Sequence, residues 1–176
     1  MEVLFAYPNY QPVQGNSGDN HISLSLQYGE KHTGFIHMHY TGLLSVFSPA
    51  DIAALYIMYS NDNMKSPIES FAMGLVTAQG TTYLLVIEDA NKFGNFGLNA
   101  DLIDQYGIDA LESLYSQWPY YITSSSTNDN NERNFAKMLK QMDSGLKLMK
   151  GNPSNFNSWE TVDVDSNGNV TTNPCP

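Results

Sequence analysis

The chain has 176 residues, 41% hydrophobic and 12% aromatic, which suffices for one buried core and argues against general disorder. Eighteen acidic against eight basic residues give a net charge of −10 and a pI near 4.5, which argues against nucleic acid or an anionic membrane as the main partner, since both reward a basic face. No apolar run approaches the roughly 20 residues of a bilayer span, the opening MEVLFAYPNYQ lacks the basic-then-apolar layout of a signal peptide, and a lone Cys175 excludes an internal disulfide or a cysteine zinc cluster.

In chain order, Glu2 opens an apolar run, VLFAY, suited to a first strand. Residues 8–20, rich in Pro, Gly and Asn, read as loop. Residues 21–28 alternate, with Ile22, Leu24 and Leu26 on one face, and predict a half-buried strand. A turn over 28–34 leads to a second strand over 35–40 and a short loop, TGLLSVF. A helix over 48–60 then starts on a clear signal: Ser48 as N-cap, Pro49 at the first helical position and Asp51 at the third. Ile52, Leu55, Tyr56 and Tyr59 follow at the spacing of one buried stripe. The runs FAMGLVT and TTYLLVIED around Gly80 predict a hairpin at 71–88. Residues 101–118 carry helical spacing through Leu102, Ile103, Tyr106, Leu111, Leu114, Tyr115 and Trp118, with Gly107 expected to divide them into two short helices. Ser124 to Asn131 reads as a polar linker. A helix over 132–150 is expected to bury Phe135, Met138, Leu139, Met142, Leu146 and Met149 and to stop at Gly151. A last hairpin turns near Asn167 and Gly168. The sum is one α/β (α+β) domain in which the later helices cover one sheet face.

The chemistry-bearing stretch is FIHMHYTGLLSVFSPAD, residues 35–51. Alternation along a strand puts His37 and His39 on one face, about 7 Å apart at roughly 3.3–3.4 Å per residue. Asp51, in the first turn of the next helix, is near enough to fold back as a third ligand. Two histidines and one carboxylate leave a fourth tetrahedral position open, the layout of a catalytic zinc site. A hydroxyl such as Ser48 could hydrogen-bond a developing oxyanion. The same Ser48 and Asp51 also make a capping box, and the two roles are compatible.

His-x-His, a short loop and Ser-x-x-Asp together resemble the JAMM signature of the JAB/MPN metalloprotease superfamily. The closest likeness is to JAB-like modules of bacterial polymorphic toxins, in which an FSPxDI-type segment follows a His-x-His strand. The likeness covers residues 20–90 or so. It implies a cytidine-deaminase-like mixed sheet flanked by helices, with the motif in a core of about residues 1–90 and a helical and hairpin extension over about 100–176. It also implies a zinc-dependent peptidase or isopeptidase acting on a protein or peptide substrate. The sequence does not fix the cellular address, which stays open between the bacterial cytoplasm and export as a module of a larger protein. By that resemblance His37, His39 and Asp51 are the Zn2+ ligands and Ser48 the oxyanion-stabilising hydroxyl. The general acid/base is a glutamate from an earlier strand, for which Glu2 is preferred over Glu30 in its predicted turn. Tyr40 stands where the family usually has proline, and the loop to Ser48 is slightly longer than the common one. The longer loop is tolerable, since closure entropy grows slowly; the missing proline and the unsettled choice of glutamate support the alternative of a catalytically silent JAB-like interaction module, with a toxin or phage-associated protein as one context for it.

The remaining polar residues read as structural. His21 and His32 are expected at the surface. DVDSNGN at 163–169 has the alternating oxygens of a calcium loop but no closing glutamate, and reads as a hairpin turn. Cys175 has no activating neighbour, no G-x-S-x-G occurs, and the chain is too short for the barrels that also use His-x-His.

Overall fold

The computed structural model describes residues 2–6, 9–14, 26–165 and 167–175, with side chains from residue 12 onward except that of residue 156. Its strands are β1 (Glu2–Ala6), β2 (Asn9–Val13), β3 (Gly34–His39), β4 (Ala72–Thr77), β5 (Thr82–Ile87), β6 (Leu146–Asn152), β7 (Asn155–Val164) and β8 (Val170–Pro174). The α-helices are α1 (Pro49–Ser60), α2 (Ala90–Asn99), α3 (Gln105–Ser116) and α4 (Asn128–Gln141). One mixed sheet runs β2-β1-β3-β4-β5-β6-β7-β8. Among these strands β3 and β4 pair in parallel, because α1 carries the chain back between them, and the other neighbours are antiparallel.

The period of two decides which face is covered. Phe35, Met73, Leu85, Leu148 and Val162 lie on one rung across five strands, with His37, Leu75 and Tyr83 on the next, and all are buried. The helices share their core with this face, as Ile52, Leu55, Phe93, Leu111, Tyr115, Phe135 and Leu139 are buried in the same cluster. The alternate residues Ile36, Met38, Val76, Leu84 and Val86 are half-buried or exposed. The expected gathering of the helices on one face is therefore present, as are the 71–88 hairpin, α1 with its cap, and the last hairpin.

Several expectations need correction. Asn9–Val13, inside the expected loop, forms β2; its Pro12 is tolerated because β2 is the outermost strand. Most of the strand expected at 21–28 falls outside the described residues, and 26–28 lead into a turn instead. Gly107 does not divide a helix. It lies buried inside α3, where a side chain would overlap the carbonyls of Ala100 and Asp101. Ile103, Tyr106 and Trp118, expected on the buried stripe, are exposed. The helix expected over 132–150 ends at Gln141, after which Asp143 and Gly145 turn the chain through positive φ. Leu146 and Leu148 then alternate with Lys147 and Met149 as β6, and Gly151 is no stop but lies beneath the Trp159 ring. The polar linker is shorter than expected, since Thr127 already caps α4.

The helix α2 is absent from the sequence expectations, because Gly94 and Gly97 lower its helix propensity; both are required where the Tyr59 and Tyr56 rings of α1 press against the helix. Asp89 caps it by accepting from the amides of Asn91 and Lys92. Among the described residues, no helix is long and apolar enough to cross a membrane.

Candidate metal centre

β3 ends at His39, a turn with Gly42 at φ +100° follows, and α1 begins at Pro49. Strand alternation sends both imidazoles to the covered face, where their ring centroids stand 5.0 Å apart. The capping box forms as expected: the Ser48 hydroxyl accepts from the Asp51 amide at 3.2 Å, and Asp51 Oδ2 accepts from the Ser48 amide at 2.6 Å. That reciprocal bond fixes the carboxylate over the end of β3. His37 Nε2 lies 3.1 Å from Asp51 Oδ1, and His39 Nε2 lies 3.3 Å from Oδ2.

The donor set and spacing fit a small cation. Tetrahedral zinc with bonds of about 2.0–2.1 Å needs donor atoms roughly 3.3–3.4 Å apart. One ligand atom from each of His37, His39 and Asp51 lies within 4.8 Å of the others. Both nitrogens of His37 are buried without a hydrogen-bond partner, so its approach to Asp51 is one of charge and not a directed bond. His39 Nδ1 sits 2.7 Å from the Leu44 carbonyl. A carbonyl only accepts, so Nδ1 carries a proton and Nε2 is the nitrogen left to face Asp51 and a cation, the orientation of a metal-bound histidine. Phe35 and Phe47 flank the His37 ring at centroid distances of 6.0 and 5.9 Å, giving the centre one apolar wall.

Burial by itself would raise the Asp51 carboxyl. The His37 and His39 rings beside it outweigh that and hold it well below the usual carboxylate range. The acid is therefore an anion at any pH in which the fold is of interest. Tyr115, fully buried, donates its hydroxyl to the Phe47 carbonyl at 3.1 Å, and burial followed by the Asp51 charge pushes its phenol well up.

His37, His39, Asp51 and Ser48 are thus brought together. Glu30 is not with them: it is exposed, accepts from the Gln27 amide, and stands 3.8 Å from His32 Nε2. The side chain of Glu2 lies outside the described ones, although its backbone begins β1. His32, expected at the surface, is fully buried, because its backbone bridges to Met64 beside the end of α1. His21 lies outside the described residues. In the 165–169 turn, Asp165 accepts from the Asn167 and Asn169 amides, the hairpin role expected of it.

Sequence reasoning misses the residues that hold the 40–47 loop: Asn131 on Ser45, Thr81 on the Ser45 carbonyl, and Tyr115 on Phe47. No local signal marks them. Asn131 stands in the run NDNNERN, where nothing separates it from its polar neighbours. A cavity of about 390 Å³ lies elsewhere, between α4 and β6–β7. Its Lys92, Lys140 and Lys147 pair with Asp143, Asp163 and Glu88 around the rim. Compared with known proteins, the chain matches no family model, no curated protein and no solved structure at a significant level.

Proposed function

We propose that the centre is a zinc site and that the protein is a metallopeptidase or isopeptidase of the JAB/MPN kind, cleaving a peptide or isopeptide bond. The observation that carries this reading is the convergence of His37 Nε2, His39 Nε2 and the Asp51 carboxylate at ligand spacing. Zinc bound by these three residues supplies a coordinated water with a pKa lowered to about 7 and a Lewis acid for the scissile carbonyl. The Leu44 carbonyl keeps His39 in the ligating orientation, and Ser48 holds Asp51 by the amide bond of its cap. The Ser48 hydroxyl is the proposed donor to the developing oxyanion, since its oxygen accepts in the cap and its own hydrogen is left for that role. Glu2 is the proposed general acid/base. In support of it, the β1–β3 register opposes Val3 to Ile36, and one further step sets Glu2 level with His37.

Protein purified without chelating resin should carry about one equivalent of zinc by elemental analysis. His39→Ala and Asp51→Asn should each lose it. A zinc-free wild type, or full occupancy in both variants, ends the metal reading. Hydrolysis of a peptide or ubiquitin-like substrate, abolished by a chelator and restored by zinc, tests the peptidase step.

The second reading, a catalytically silent interaction module, draws on Glu30 standing apart from the centre beside His32 and on Tyr40 in place of the family's proline. It predicts metal without hydrolysis, or neither.

A further inference from the structure

We propose that Asn131 is a positioning residue for the metal centre, acting through Ser45 to fix the Leu44 carbonyl against His39. The inference rests on the metal reading above. The chain from Tyr40 to Phe47 belongs to no strand or helix, so its placement depends on separate contacts. Its own bond, from the Leu43 amide to the Tyr40 carbonyl at 3.1 Å, closes only the first turn. Beyond that turn, groups from remote elements hold it. Asn131 Nδ2 donates to Ser45 Oγ at 3.0 Å, the Thr81 hydroxyl reaches the Ser45 carbonyl at 3.4 Å, and the Tyr115 hydroxyl reaches the Phe47 carbonyl at 3.1 Å.

Asn131 is the most constrained of these. It is fully buried on the first turn of α4, and Thr123 dictates which way its amide faces. The Thr123 amide donates to Asn131 Oδ1 at 3.2 Å, and the Thr123 carbonyl accepts from Nδ2 at 2.9 Å. With both ends set by one backbone residue, the second Nδ2 hydrogen has a single direction left, and buried Ser45 lies along it. A buried amide hydrogen without a partner is costly, so Ser45 is held where the acceptor must be. Leu44 is its neighbour in the chain. A shift of Ser45 swings the Leu44 carbonyl away from His39 Nδ1, and without that acceptor the imidazole loses the bond that fixes its rotation. With the bond in place the ring holds Nε2 toward Asp51 and a cation.

Two measurements on the full chain test this: protection of the His39 Nδ1 proton from solvent exchange in metal-free protein, from ¹H–¹⁵N NMR, and the zinc Kd, from competition with a chromophoric chelator. Asn131→Leu removes the amide at similar volume, and Ser45→Ala removes only the hydroxyl, so the second reports even if the first fails to fold. Tyr59→Phe, which removes the bond from the end of α1 to the Ala90 carbonyl, is the control. Both loop variants should show faster exchange of the His39 Nδ1 proton and a zinc Kd weakened about tenfold, the low end of what loss of an outer hydrogen bond costs. The double variant should be no worse than the single ones, and the control should keep the wild-type exchange and Kd. Wild-type exchange and Kd in Ser45→Ala overturn the inference, as does an equal loss in the control. A wild type with no zinc affinity overturns the metal reading instead, and the Nδ1 exchange still reports on Asn131.

Discussion

His37 and His32 are both buried histidines whose ring nitrogens make no hydrogen bond, and their surroundings give them different physics. His37 faces a carboxylate at 3.1 Å on the covered side of the sheet. His32 sits where the chain before β3 docks on the end of α1, with Glu30 at 3.8 Å. Burial disfavours the imidazolium of His32 and the Glu30 charge opposes that, with the net effect that its pKa is lowered. The unfolded chain then takes up this proton at a higher pH than the folded one. Stability from this group is complete above about 6.5 and declines as pH falls through that value toward the lowered folded one. Urea midpoints at pH 7.5 and 5.5 should therefore differ less in His32→Leu than in wild type, which isolates His32 from the other histidines. An unchanged difference would show that His32 carries none of the acid sensitivity.

At the scale of elements, glycine has opposite meanings in α3 and in an isolated helix. Gly→Ala in an exposed helix interior gains about 1 kcal/mol. In α3, a Cβ on Gly107 meets the carbonyl oxygens of Ala100 and Asp101, which are backbone atoms unable to rotate aside. Gly107→Ala should lower stability by about 2 kcal/mol, within the usual cost of overpacking, measured as a reduced urea midpoint. A stabilised variant would mean that the turn before α3 yields freely. This also explains why Gly107 reads as a break in the sequence: propensity carries the entropy of the glycine and nothing of the wall beside it. The strand β6 misleads for a related reason. Leu146 and Met149 continue the spacing of Met138 and Met142, and only the pairing of Leu148 with Leu85 and Val162 selects the extended form. By contrast, α1 is legible to within a residue because cap, proline and stripe lie together in 48–60.

The whole molecule is joined by polar contacts that cross its layers. Glu132 of α4 is buried, accepts from the Tyr83 hydroxyl at 2.8 Å, and pairs with Lys150 of β6 at 2.8 Å. Burial, then the Glu132 charge, pushes the Tyr83 phenol far above its ordinary range, so it stays a donor. Lys150→Met would leave the carboxylate with the phenol alone. The expected loss is about 2 kcal/mol by urea denaturation, less than for a fully buried pair because Lys150 reaches solvent. A change under about 0.5 kcal/mol would place the strength of the α4–sheet contact in its apolar residues.

The meeting of His37, His39 and Asp51 was available from residues 35–51 alone, because a strand's period of two and a helix's capping box are local rules that act over a few residues. The burial of His32 and the Asn131–Ser45 bond were decided only in three dimensions. Asn131 and Ser45 are 86 positions apart. Nothing in the sequence between them records that α4 returns to the loop after β3, because that return is set by the shared burial of Phe47, Tyr115 and Phe135, a property of the assembled core and of no single segment.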